Sequence, residues 1–293
     1  MKTIVTSALK LFLAAIIYTV LFVLVSALVP FSQGFKELGS SEHPTALLFM
    51  FINGAWVCFT IYFIIKHSNY SGIKLFINVL FVMFFINFFM TQIETWFFGH
   101  AFALTKPDII LIMLSGLFPL LGTTALLIKF FQNKNAVYEK EKINIKSILI
   151  KLGIIGIIYL CVYLLFGYFV LWQFEEARLF YSGSTANLKL GESMGNTNIG
   201  IGTNSIFIPL QILRGILFGI FILPLKNMMS TKNTFIASVC LVYLCTAVQL
   251  IIPNVLFPDM VRIAHLIEMS SSMLLFGMIA GNTMWGKSKK SCT

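Results

Sequence analysis

Apolar residues in this chain neither alternate with polar ones nor recur on a single helical face. They run on in eight long stretches, with polar residues confined mainly to the joins. A hydrocarbon core of ~30 Å needs roughly 20 residues of helix, and continuous runs exclude the alternating strands of a membrane barrel. The pattern predicts helices over 7–30, 45–66, 73–95, 108–130, 147–172, 205–227, 234–254 and 263–285. The expected fold is all-α, a polytopic integral membrane protein of about eight transmembrane helices.

Two joins are longer than the rest, a Lys/Glu-rich segment at 131–146 and a Gly/Ser/Asn/Thr-rich segment at 182–204. They suggest one membrane domain, 1–293, divisible into four-helix halves at 1–130 and 147–293 joined by a basic loop. The halves share no motif, so no repeat is inferred. The 182–204 segment reads either as a loop able to close over a site or as a plain spacer.

Composition supports the membrane reading. The chain is 58% hydrophobic and 11% charged, with mean hydropathy +0.90, whereas soluble domains carry about 25% charged residues. The net charge of +10 does not point to nucleic acid, because the lysines are scattered over loops and tails. Sorting the charges by join puts 15 of the 21 Lys/Arg on one side of the membrane. The positive-inside rule then predicts a bacterial inner-membrane protein with both termini cytoplasmic. Nine of the 11 acids fall in or near the opposite half, although acids contribute little to orientation.

Four of the five cysteines, Cys58, Cys161, Cys240 and Cys245, lie within apolar runs; Cys292 is near the C-terminus, and no CxxC occurs. They read as packing residues. The N-terminus resembles a signal peptide with Val25-Ser26-Ala27 as a cleavage site, but its apolar run exceeds the usual length, so the expectation is an uncleaved first helix.

Candidate chemistry gathers toward the predicted outer side. The eighth helix carries Arg262, His265 and Glu268 at spacings of three, which place an imidazole beside a carboxylate on one face. Such a pair can bind a polar substrate, relay protons or, with Glu94, ligate a metal; it can equally fasten neighbouring helices. The third helix ends in Gln92 and Glu94, which are two apart and share no face, so Glu94 is the stronger candidate. Trp96, Phe97 and Phe98 read as interfacial anchors, and His100 follows them. The fifth helix leaves the membrane through Glu175, Glu176 and Arg178, a potential salt-bridge cluster. Arg214, with Gln211 on the same face, lies inside the sixth helix and needs an acid, a carbonyl or water. Glycine pairs at Gly215/Gly219 and Gly277/Gly281 favour close packing, which would draw the sixth helix toward the eighth.

The segments Phe89–Thr95, Phe166–Phe169, Leu210–Gly215 and Arg262–Gly277 together resemble a group of uncharacterised multi-pass proteins of bacterial inner membranes. That resemblance implies no activity. The CAAX-type intramembrane protease pattern is not met: Arg178 is at the wrong spacing from Glu175-Glu176, Phe180 stands where Arg is required, and Phe63-xxx-His67 precedes the acids.

Three functions fit. An outward-facing intramembrane site could bind or transport a small polar or anionic ligand, using Glu94, Glu175, Glu176, Arg178, Gln211, Arg214, Arg262, His265 and Glu268. An outer-leaflet enzyme could act on a lipid-linked substrate, with a metal held by His265, Glu268 and Glu94 or with these groups as acid and base. A structural subunit could use the same residues for packing alone. The expected surroundings are the lipid bilayer and a small polar or lipid-linked ligand, with no nucleic acid, and no pattern specifies a cofactor.

Overall fold

The computed structural model describes residues 2–38, 43–98, 104–133, 144–189, 206–254 and 256–285. Eight helices within them are long and apolar enough to cross a membrane: α1 (Ile4–Leu28), α2 (Ala46–His67), α3 (Gly72–Phe97), α4 (Lys106–Phe131), α5 (Ile145–Gln173), α6 (Phe207–Met228), α7 (Lys232–Ile251) and α8 (Asp259–Trp285). The protein is an all-α, multi-pass membrane protein. Among the described residues the only strand-like pairing is an isolated bridge between Ser68 and Met229. Each helix follows one of the apolar runs, as expected where backbone groups must be satisfied within each lipid-facing segment.

α1 packs on α2 and on the second part of α4, and α3 also packs on α4. α5 lies between α6 and α8, while α7 pairs with α8 and reaches back to α2 and the middle of α3. Large apolar side chains such as Phe12, Leu114, Ile157 and Leu274 remain exposed on the outer surface, where acyl chains would cover them. Inside, Tyr159, Phe218, Tyr243 and Phe276 form an aromatic centre; Tyr243 and Phe276 stack with centroids 5.3 Å apart, and the Tyr243 hydroxyl donates to the Phe218 carbonyl at 3.0 Å.

The glycine pairs bring together different helices from those expected. A Cβ on Gly215 would lie 2.5 Å from Tyr159 Cβ and 2.8 Å from Gly156 Cα, so Gly215 joins α6 to α5. Gly277 and Gly281 lie against Cys240 and Ile236, and so join α8 to α7. The small-residue stripes seat each helix on its sequence neighbour, and α5 stands between α6 and α8.

The two ends of the bundle are closed differently. At the end that holds the start of α1 and the close of α8, short joins bond to one another: Asn69 N–H donates to Met228 O at 2.7 Å, Ser230 Oγ to Asn69 Oδ1 at 2.8 Å, and Gly72 N–H to Gln132 Oε1 at 2.9 Å. At the opposite end, here called the distal end, α4 opens with a capping box between Thr105 and Asp108 with a proline in its first turn. Asp108 also accepts from Ser32 N–H at 2.8 Å and Ser32 Oγ at 2.7 Å, fastening the join that follows α1 to the mouth of α4. The basic segment around 134–143 and His100 lie outside the described residues.

Candidate functional site

Arg214 sits about two turns inside α6 from its distal end. Its side chain is 4% exposed, and Nη2 donates to Glu94 Oε2 of α3 at 2.8 Å. Nη1 donates to Gln211 Oε1, one turn earlier on α6, at 2.9 Å. The guanidinium lies over the Tyr159 ring, 5.5 Å from its centre, and Tyr163 OH donates to the other Glu94 oxygen at 3.0 Å. An arginine alone at the bilayer centre costs about 2.5–3.5 kcal/mol on insertion scales. Here an acid, an amide and an aromatic face offset that cost, and Glu94 is the acid that Arg214 requires.

Glu94 reaches this position past a π-helical turn at Phe85–Phe89 in the middle of α3. A π turn takes an extra residue, so Met90–Phe98 emerges in a different phase from Gly72–Phe84. Side chains occupy the disturbed ladder: Asn87 Nδ2 donates to Met83 O at 2.9 Å, and Thr91 Oγ1 donates to Asn87 O and Phe88 O at 3.0 Å each. The wide turn presses Phe88 onto α4 where that helix changes course at Gly116, and a Cβ there would fall 2.1 Å from the Phe88 ring. Only glycine leaves room for this approach. Gln92 turns instead to Thr91, its Nε2 at 3.4 Å from Oγ1.

On α8, His265 and Glu268 do not bond to each other. The His265 ring shares a 2.6 Å hydrogen bond with Tyr181 OH of the short helix Glu175–Ser182 and packs against Phe257 at 5.3 Å. Tyr181 lies outside the spans; burial, then the charges of Glu94 and Glu268, push its phenol above the ordinary value, so it stays protonated. Glu268, one turn deeper, is 8% exposed with the Ser272 hydroxyl beside it, and lies within electrostatic reach of Glu94 and Arg214. It has no ion pair among the described residues.

The remaining candidates stand apart from this cluster. Glu175 and Glu176 are exposed in the first turn of their short helix, where its dipole favours them. Arg178 does not pair with either: Nη1 donates to Trp172 O at 2.7 Å and Nε to Thr185 O at 2.8 Å. The expected salt-bridge cluster is replaced by a carbonyl clamp, because the buried guanidinium, three residues beyond the helix start, faces one carbonyl at the close of α5 and another just past the end of the short helix. Arg262 likewise holds Leu250 O and Ile251 O at 2.9 Å each, and Asp259 Oδ1 at 2.8 Å, splicing α7 to α8. Of the 182–204 segment, read as a loop over a site or as a plain spacer, residues 190–204 lie outside the described residues.

The metal set His265, Glu268 and Glu94 is not assembled: no three His, Cys, Asp or Glu side chains converge for a metal among the described residues. His265 is taken by Tyr181 and Glu94 by Arg214. Sequence reasoning passed over Tyr159, Tyr163 and Tyr181, which line the cluster. The first two are spaced i, i+4 on α5, a face-sharing signal that was present in the sequence.

Comparison with protein-family models, curated proteins and solved structures yields no match. The fold and cluster therefore define a class alone: a multi-pass α-helical membrane protein with a polar cluster between α3, α5, α6 and α8 at its distal end.

Proposed function

We propose that this cluster is a binding site for a small polar ligand with acceptor oxygens, such as a carboxylate or phosphate, in a protein that binds or transports it. The supporting observation is a pair of buried donors without acceptors. Arg214 Nε and Gln211 Nε2 have no hydrogen-bond partner among the described residues, although Gln211 is fully buried and Arg214 nearly so. An unsatisfied buried donor costs about 1–3 kcal/mol, and a ligand oxygen placed there recovers that cost. Glu94, 31% exposed, marks the side from which the cluster is reached.

In this reading the distal end faces away from the cytoplasm of a bacterial inner membrane. The motive is the partition of basic residues, 15 of 21 toward the other end. Reporter fusions after Asn135 and Asn196 should report opposite compartments, the former cytoplasmic, and agreement between them would reject the topology.

The binding test uses purified full-length protein in nanodiscs, melted in the presence of acetate, glycine, succinate or inorganic phosphate. At least one probe should raise the melting temperature of the wild type, and the gain should shrink in Gln211→Met, which keeps the volume but removes the amide. Gains equal in both proteins, or no gain from any probe, would reject the site.

A further inference from the structure

Charge within the cluster does not balance. Arg214 supplies one positive charge and is already neutralised by Glu94 at 2.8 Å. Glu268 adds a second carboxylate, buried and without an ion pair among the described residues. From every helix around it the groups that face Glu268 are neutral or already committed. α5 contributes the phenols of Tyr159 and Tyr163, the latter donating to Glu94. The short helix Glu175–Ser182 contributes Tyr181, which shares a hydrogen bond with His265 on α8 itself. On α7, the side packed toward α8 carries Cys240, against Gly277, and Tyr243, which donates to Phe218 O. Arg262, the other arginine of α8, is held by two carbonyls and Asp259.

The surroundings also limit what can neutralise Glu268. Tyr159 is packed edge-on to Phe276, centroids 5.0 Å apart, and tilted against Phe218 at 5.3 Å. Rings this close fill the space between α5, α6 and α8 below Glu268. The smallest cation suits such packing, and burying an unpaired carboxylate in its ionised form costs several kcal/mol in a dry interior.

We propose that Glu268 is a proton-binding site and that its carboxyl group carries a proton taken from water in the resting protein. The consequence for the ligand rests on the reading of the cluster as a binding site. With Glu268 protonated the cluster is neutral, and an anion can approach Arg214 and Gln211. With Glu268 ionised the cluster is net negative and repels it. A proton on Glu268 and an anion on Arg214 and Gln211 therefore bind together, and release of one favours release of the other.

The test reads the proton directly and needs no ligand. Infrared spectra of the full-length protein in liposomes at neutral pH should show the C=O stretch of a protonated carboxyl group. The band should shift when glutamate is supplied with 13C in its side-chain carboxyl and vanish in Glu268→Gln. No band in the wild type, no shift on labelling, or a band that survives in Glu268→Gln would overturn the proposal. The label experiment uses the wild type, so absence of a protonated glutamate would overturn the proposal even if the variant fails to fold. Glu268→Gln mimics the protonated acid and should melt within a few degrees of the wild type, whereas an ionised, counter-charged Glu268 would make it markedly less stable. A proton found without any ligand response from the probes above would leave this inference standing and reject the binding site; the converse result would do the opposite.

Discussion

Arg214 and Arg262 lie at the same end of the bundle and are both buried, yet their surroundings differ in kind. Arg262 is held by two backbone carbonyls at the close of α7 and by Asp259 three residues before it. Those carbonyls are the ones a helix end leaves without intrahelical donors, so the guanidinium serves as a C-terminal cap. Arg214 has no helix end to cap. Its partners are side chains from two other helices and its own. Both arginines keep Nε without a partner among the described residues, so what sets Arg214 apart is that its constellation is brought from separate helices, whereas Arg262 is held by an adjoining helix end and a neighbour on its own helix.

The largest expected effect removes that constellation's acid. Glu94→Gln leaves Arg214 buried without a counter-charge; breaking a buried pair costs about 3–5 kcal/mol, and the partial exposure of Glu94 favours the lower end. The loss should appear as reduced melting temperature in nanodiscs and be partly restored by adding Arg214→Gln. Independent effects of the two substitutions would break the comparison. Arg262→Gln forfeits the carbonyl cap and should cost about 2 kcal/mol, since hydrogen bonds to charged groups contribute ~1.5–3 kcal/mol. The ligand-induced gain in melting temperature should survive it; its disappearance would show that both arginines serve the site. Tyr163→Phe removes one donor from Glu94 and should cost about 1 kcal/mol, with a weaker response to whichever probe stabilises the wild type. Tyr181→Phe should have the smallest effect, near the ~0.6 kcal/mol average for a hydrogen bond between membrane helices. Its signature is a changed His265 imidazole signal in NMR, and an unchanged signal would separate the short distal helix from the cluster.

The spans were legible because lipid imposes a length and composition on each helix that no partner can override; predicted and observed limits differ by a few residues, as at 263–285 against Asp259–Trp285. Arg214 was legible for the same reason, as a charge that lipid will not tolerate. Its partner was left as an acid, a carbonyl or water, because the choice depends on helix phase. The π turn at Phe85–Phe89 has no sequence signature beyond a Phe-rich run and an asparagine. The glycine stripes announced close approach without naming the neighbour, and they seat α6 on α5 and α8 on α7. Arg178 was misread because adjacent acids suggest a salt bridge, while the carbonyls it binds, at Trp172 and Thr185, are present in every sequence and so carry no signal.

The π turn of α3 also acts as a counted residue. Deleting one position within Gly72–Phe84, with the π turn kept, would rotate everything beyond it by about 100° and shorten the span by about 1.5 Å. Glu94 would leave Arg214, and Phe88 would lift from Gly116, while the apolar length of the span would scarcely change. A deletion of this kind is nearly silent to the lipid. Indel scanning along α3 should therefore find a narrow stretch where loss of one residue is tolerated for insertion and abundance but not for the cluster, so that the register of the helix, rather than its hydrophobicity, is what the turn maintains.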